Sequence, residues 1–194
     1  MTGIGPGTRA VGIAESFGPD STNSTLAGAV VRADRTVEAF EFGACTVGGT
    51  DATDAILDLW QRLDRPDVQW CLVAAVAPAW FNVLDLEAIQ TAVDRPLVAV
   101  TGEERTAPLA RTLAEEFEGP ALHRRQELAA THPAPTQLSL GDGQVFVRAV
   151  GCSLAAASEA VRAFTHRRPG PEPLETAQAA ARGARTLRDR VTGP

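Results

Sequence analysis

Apolar positions along this chain first alternate or run together and later space out at helical intervals, and the change of period predicts its elements. Ala10 to Ile13 reads as a short strand, Phe17 to Asn23 as a polar turn, and Leu26 to Val31 as a continuous apolar strand. From Thr36 to Phe42, Val37, Ala39 and Glu41 alternate with Glu38, Phe40 and Phe42, the pattern of a third strand. The short links between them, including Arg32-Ala33-Asp34-Arg35, imply an antiparallel start to a sheet. Ala52, Ile56, Leu59 and Leu63 then share one helix face, with Asp51 or Thr53 as cap, Asp54 near the positive end of the dipole and Pro66 as a stop. Val68 to Val76 is apolar on both faces, as a central strand in a parallel pair would be. Leu84, Ala88 and Ala92 begin a second helical stripe, and Leu97 to Val100 forms the next strand.

The remaining chain predicts an elaboration of that core. Pro108 to Phe117 and Leu122 to Ala130 suit helices, and Thr136 to Leu140 and Gln144 to Val150 a hairpin closed by Gly141-Asp142-Gly143. Ser153 caps a helix that ends near Pro169-Gly170-Pro171. Leu174, Ala177, Ala181, Ala184, Leu187 and Val191 line a last helix, with Gly183 its weak point. No internal repeat or second boundary divides the sequence, so residues 9–191 read as one domain behind a flexible segment, residues 1–8.

Composition narrows the classes. A chain of 194 residues, 44% hydrophobic, is large enough to bury a core. Its net charge of −6 argues against an overall basic nucleic-acid coat and leaves room for a local patch. All 18 basic residues are Arg, and Lys and Tyr are absent, a bias that suits a GC-rich, salt-adapted source. Cys45, Cys71 and Cys152 are odd in number and far apart, as reduced, buried thiols are. The longest strongly apolar run, Cys71 to Phe81, is 11 residues and contains Pro78, too short for a bilayer span. No basic segment feeds an apolar stretch at the start, and a cytoplasmic location is expected. The phosphate-binding glycine patterns of ATPases and dehydrogenases are absent, and His123 and His132 have no close Cys or His companion for zinc.

Four segments in order, Val11-Gly12-Ile13-Ala14-Glu15-Ser16, Gly49-Thr50-Asp51-Ala52-Thr53-Asp54-Ala55-Ile56, Phe81-Asn82-Val83-Leu84-Asp85 and Pro171-Glu172-Pro173-Leu174, resemble the archaeal endonuclease dU family, itself related to endonuclease V. The resemblance spans roughly Arg9 to Arg185 and implies a ribonuclease H-like α/β fold. Such a fold is a mixed sheet with three initial antiparallel strands, then alternating helices and strands, plus a C-terminal elaboration. In it the first and fourth strands lie side by side, so Ala14 and Ala74 are expected to be neighbours. The resemblance also implies DNA repair: Mg²⁺- or Mn²⁺-assisted hydrolysis of DNA bearing deoxyuridine or another deaminated base.

The departures fall on the chemistry. The family pattern resembles Gly-Ile-Asp-Asp-Ser where this chain has Gly12-Ile13-Ala14-Glu15-Ser16, and Leu-Asp-Gly where it has Val73-Ala74-Ala75. Ala14 and Ala74 are therefore degenerate positions, and the loop carries Trp80 where the family tends to place Gly. Glu15, Asp51 and Asp85 are the surviving candidates for catalysis, Glu15 and Asp51 also for metal binding, although alternation puts Glu15 on the face opposite Ala14. Asp51, Asp54 and Asp85 serve equally as helix-start residues. Asn82, Trp80 and Phe81 are candidates for nucleic-acid contact, Trp80 and Phe81 by stacking, as is an Arg182, Arg185, Arg188 stripe for phosphate. The clusters His123-Arg124-Arg125 and His166-Arg167-Arg168 are further basic candidates. Two readings stand: a metal-dependent endonuclease, and a non-catalytic homologue without cofactor that binds damaged or single-stranded DNA or a protein partner.

Overall fold

A computed structural model describes residues 3–102, 109–141, 143–166 and 170–192. The first three strands are β1 (Arg9–Ser16), β2 (Asn23–Arg32) and β3 (Val37–Thr46), each longer than its apolar core suggested. Then come α1 (Ala52–Leu63), β4 (Trp70–Val73), a turn α2 (Pro78–Phe81), α3 (Leu86–Val93) and β5 (Leu97–Thr101). The elaboration consists of α4 (Leu109–Glu116), α5 (Gly119–Thr131), β6 (Thr136–Leu140), β7 (Gly143–Val150), α6 (Leu154–Ala163) and α7 (Glu172–Thr192). The sheet order is β3-β2-β1-β4-β5-β7-β6. The pairs β1–β4 and β4–β5 are parallel, and the others antiparallel. The expected mixed sheet is thus present. Asp142 of the hairpin turn, Pro108 and Pro169 lie outside the described residues, as do Arg167 and Arg168.

Two elements differ from their expected bounds for a physical reason. The apolar run from Val68 to Val76 yields only four strand residues, because the Val68 amide donates to Arg65 O at 3.2 Å within a turn and the chain leaves the sheet after Val73. Apolar side chains on a buried loop look the same in sequence as those on a buried strand. Helix α3 starts only at Leu86, so Leu84 is buried ahead of it, and within the helix Leu86, Ile89 and Val93 are buried while Ala88 is half-buried and Ala92 exposed. Burying the larger side chains removes more apolar area from water. Residues 5–8 contact the β2–β3 turn, where Ala33 N donates to Thr8 O at 2.8 Å and Asp34 N to Pro6 O at 3.1 Å.

Helices α1 and α3 pack on one face of the sheet, joining Ile56, Leu59 and Ile89 to Val11, Ile13 and Leu26. On the other face α7 runs along β1 and β2, where Ala177 meets Ala14, Ala29 and Val31. Its start rides directly on the β1 backbone: a Cβ at Gly12 would lie 2.2 Å from both C and O of Pro173. Past the sheet, α7 leaves Leu187 and Val191 exposed. At the amino end of the sheet, Glu38 accepts from Arg9 Nε at 2.8 Å and also pairs with Arg65, which meets Asp67 at 2.7 Å. At the free edge, Arg62 Nη2 donates to Phe42 O at 2.7 Å, covering a carbonyl that would otherwise invite another strand. Among the described residues no helix is long and apolar enough to cross a membrane.

Candidate functional site

The carboxyl ends of β1 and β4 meet as expected. Ile13 pairs with Val73, and the Ala74 amide donates to Ile13 O at 3.0 Å, which sets Ala14 beside Ala74. Ala14 is 4% exposed. The two alanines border a cavity of about 80 Å³ whose lining includes Ala75, Pro78, Glu15 and Gln178. Gln178, from α7, donates its amide to Glu15 O at 2.8 Å.

Each acidic candidate already has partners. Ser24 pairs in register with Cys45, which belongs to the core under α1, and the Ser24 hydroxyl donates to the Glu15 carboxylate. Glu15 therefore turns away from the α7 face on which Ala14 lies, as strand alternation requires. Its second oxygen accepts from Ala79 N at 3.3 Å. Asp51 accepts from Thr46 N at 3.0 Å, Thr46 Oγ1 at 2.8 Å and Asn82 Nδ2 at 2.7 Å. Desolvation, the largest single influence, raises its pKa, but the bonds from Thr46 and Asn82 together hold it below the ordinary aspartate value. Neither Asp51 nor Thr53 supplies the expected side-chain cap of α1. Asn82 Oδ1 accepts the Ala52 amide at 3.0 Å instead, while Thr53 Oγ1 accepts from Asp85 N at 2.9 Å. Asp85 caps α3, accepting from Ala88 N at 2.9 Å. Beneath this group burial pushes the Cys45 thiol up to about 12, with Asp51 and Glu15 adding to the shift.

The strand ends do not fit the divalent metal that the sequence resemblance implied. Alanine methyls offer no donor at either central position. Among the described residues no three His, Cys, Asp or Glu side chains converge as a ligand set, so Glu15, Asp51 and Asp85 do not come together as one.

Above the cavity the chain makes a turn that periodicity does not reveal. Ala79, Trp80 and Phe81 have φ of 47°, 56° and 63°, a left-handed conformation that disfavours L side chains by about 1–2 kcal/mol per residue. Asn82 N donates to Pro78 O at 2.9 Å and Gly48 N to Ala79 O at 2.7 Å. The turn separates the three residues read as nucleic-acid contacts. Asn82 is fully buried, with Oδ1 on Ala52 and Nδ2 donating to Thr46 O at 3.0 Å and to Asp51, so it frames the loop and has no free edge for a base. Phe81 is also buried, edge-on to Phe117 at 6.2 Å and clustered with Val83 and Leu113. Only Trp80 faces out, 47% exposed, with its ring 5.5 Å from Phe117.

Arg125, read only as part of a basic cluster, turns inward instead and is 4% exposed. Its Nε donates to Phe81 O at 3.0 Å, Nη1 to Ala121 O at 3.0 Å, and Nη2 to Gly48 O and to Gly49 O at 2.9 Å. Its guanidinium carbon lies 4.0 Å from the centre of the Phe117 ring, a cation–π contact. Burial, then Arg124, lowers its pKa, yet an arginine so placed stays charged. The sequence signal was its spacing: Leu122, Arg125 and Ala129 follow one another at three and four residues, which puts a charge in the apolar stripe of α5. His123, by contrast, is exposed and 3.0 Å from Glu127.

Two of the α7 arginines reach the β1–β2 connection, and both also meet Asp189 on their own helix. Arg185 Nε donates to Ser16 Oγ at 3.0 Å and Arg188 Nη2 to Asn23 O at 3.3 Å, while Arg182 is exposed on the same helix.

A protein-family model described as endonuclease dU matches residues 6–185. A UPF0215 protein of Pyrobaculum calidifontis is 31% identical over 173 residues, covering 89% of this chain and 94% of that protein. A protein of unknown function from Archaeoglobus fulgidus has a similar structure, with a TM-score of 0.80 at 20% identity over 91% of this chain and 98% of that one. An endonuclease V of Ciona intestinalis, in complex with a 24mer DNA containing an inosine followed by a ribo-adenosine, gives a TM-score of 0.61 at 13% identity, covering 93% and 86% of the two chains. The last two likenesses concern the fold.

Proposed function

The chain belongs to the endonuclease dU family, and from that premise we propose that it binds nucleic acid at the carboxyl ends of β1 and β4 without itself carrying out metal-assisted cleavage. One observation carries this reading: Ala14 stands beside Ala74 where carboxylates would have to converge, and Glu15 is held by Ser24 and Ala79. Hydrolysis of this class needs carboxylates that position Mg²⁺ or Mn²⁺ to activate water and offset charge on the phosphate. The local chemistry supports binding instead. Arg185 and Arg188, which also pair with Asp189, border the β1–β2 connection, Arg182 is exposed on the same helix, and Trp80 offers an exposed ring on the left-handed turn. The Ciona structure holds DNA on the same fold. The ligand class is DNA carrying a deaminated base, with RNA as the comparison.

The test pairs binding with cleavage, using matched oligonucleotides that contain deoxyuridine, deoxyinosine, ribonucleotides or no lesion, with Mg²⁺, Mn²⁺ or chelator. Salt-dependent binding without incision is expected, and changing Arg182, Arg185 and Arg188 to Gln should flatten the salt slope because fewer counterions are released. Metal-dependent incision by the purified chain, lost on Glu15→Gln or Asp51→Asn, would overturn the non-cleaving reading and return those two acids to the chemistry.

A further inference from the structure

The geometry points to Trp80 as a stacking platform for an unpaired nucleobase, held in place by Arg125 as a positioning residue. We therefore infer that single-stranded nucleic acid, or a base displaced from a duplex, is the preferred ligand. This inference rests on the nucleic-acid reading above and names its ligand more closely.

Three features carry it. First, the strain sits under the exposed ring: Ala79, Trp80 and Phe81 are consecutive non-glycine residues in the left-handed region. Such strain persists only where surrounding contacts over-determine the conformation. Second, those contacts are unusually expensive to assemble. Arg125 is a buried cation whose partners among the described residues are the carbonyls of Phe81, Ala121, Gly48 and Gly49, with no carboxylate among these. Burying a charge on neutral partners is unfavourable unless its donors are well satisfied. The forked guanidinium does this while joining three separate segments, the 48–49 loop, the left-handed turn and α5. A lysine ammonium lacks the planar fork to span them.

Third, the result of this framework is local. Phe81 points inward to Phe117, and Trp80 packs against Gly48 and Phe117 while keeping nearly half its surface in solvent. A Cβ at Gly48 would lie 2.8 Å from Trp80 Cε3, so the 48–49 loop is shaped to receive that ring. A rigid, half-exposed indole, fixed on its inner side by Gly48 and Phe117, is the kind of platform that captures bases through their π-faces, whatever the sequence. Paired bases inside a duplex present no such face.

Fluorescence anisotropy with a labelled 12-residue oligo(dT), and with the same strand in a duplex, tests the inference at low salt. Trp80→Ala should weaken single-strand binding about tenfold or more, and Trp80→Phe by less, in line with the usual contribution of one stacked base. Oligo(dT) should quench tryptophan emission in the wild-type chain and leave Trp80→Phe nearly unquenched. Arg125→Met should lose as much affinity as Trp80→Ala, and the double variant no more than either alone, a non-additivity that general loosening of the fold would not give. If Arg125→Met does not fold, Arg125→Lys, checked by circular dichroism, takes its place in the same cycle. Binding by the wild-type chain that is equal for single strand and duplex, or unaffected by Trp80→Ala, overturns this inference and leaves the broader nucleic-acid reading standing. Additive losses overturn the role of Arg125 alone. No binding of either form overturns both.

Discussion

Replacing Asn82 by alanine removes a side chain that ties together the start of α1, the end of β3 and the left-handed turn. In the wild-type chain Oδ1 accepts the Ala52 amide at 3.0 Å, and Nδ2 donates to Thr46 O at 3.0 Å and to Asp51 at 2.7 Å. The residue is fully buried, so water does not simply take its place. An orphaned buried donor such as Ala52 N is worth about 1–3 kcal/mol, and a bond to a charged acceptor such as Asp51 about 1.5–3 kcal/mol. Together they set an expected loss of about 4 kcal/mol, a large fraction of the roughly 5–15 kcal/mol that a domain of this kind possesses. Urea unfolding followed by circular dichroism reads it directly. The pH dependence has a defined sign. Asp51 titrates below its ordinary value in the folded state, so its contribution is present above the unfolded pKa and is lost as pH falls through the folded one. Because Asn82 supplies part of that depression, the gap between wild type and variant should narrow as the solution is acidified. A loss under about 1 kcal/mol at neutral pH, or a gap that does not change with pH, would refute the bridging role.

Three further outcomes follow from other parts of the fold. Gly12→Ala would put a Cβ 2.2 Å from the Pro173 backbone, which cannot rotate aside, and should cost about 3 kcal/mol or displace α7, read by urea unfolding and by hydrogen exchange of the α7 amides. Glu38→Gln should lower the melting temperature most near neutral pH. The bonds from Arg9 and then Arg65 hold the Glu38 carboxyl below its ordinary value, so their stabilisation is present above the unfolded pKa and vanishes as pH falls through the folded one; a difference independent of pH contradicts this. Burial pushes the Cys45 and Cys71 thiols up to about 12, so alkylation at pH 8 should spare both until the chain unfolds, and rapid modification of either in the native state contradicts the packing.

The core was legible in the sequence because its periods are clean. The Ala52, Ile56, Leu59, Leu63 stripe is the buried face of α1, and the order of strands and helices, together with the fold that the family resemblance implies, placed Ala14 beside Ala74. What was hidden depends on contacts between segments distant in sequence. The left-handed turn carries no glycine to announce it, since Ala79, Trp80 and Phe81 are held by partners as remote as Gly48 and Arg125. Asn82 reads as a polar loop residue, but three neighbouring groups draw it inside. Asp51 sits at a helix start yet serves Thr46, because Asn82 reaches the α1 amide that Asp51 would have capped. Composition names the hydrogen-bonding groups and leaves their pairing to the tertiary fold.

Strand β1 lies in the interior of the sheet, yet the helix that covers its α7 face is synthesised long after it. The bond from Gln178 to Glu15 joins residues 163 positions apart. At a translation rate of about 5–20 residues per second, that face waits on the order of 10–30 s for its cover. The residues that wait are mostly small, with Gly12, Ala14 and Ala29 presenting little apolar area to other nascent chains. The same small residues that let α7 sit tightly on the sheet therefore make the unfinished polypeptide a poor nucleus for aggregation while the ribosome completes it.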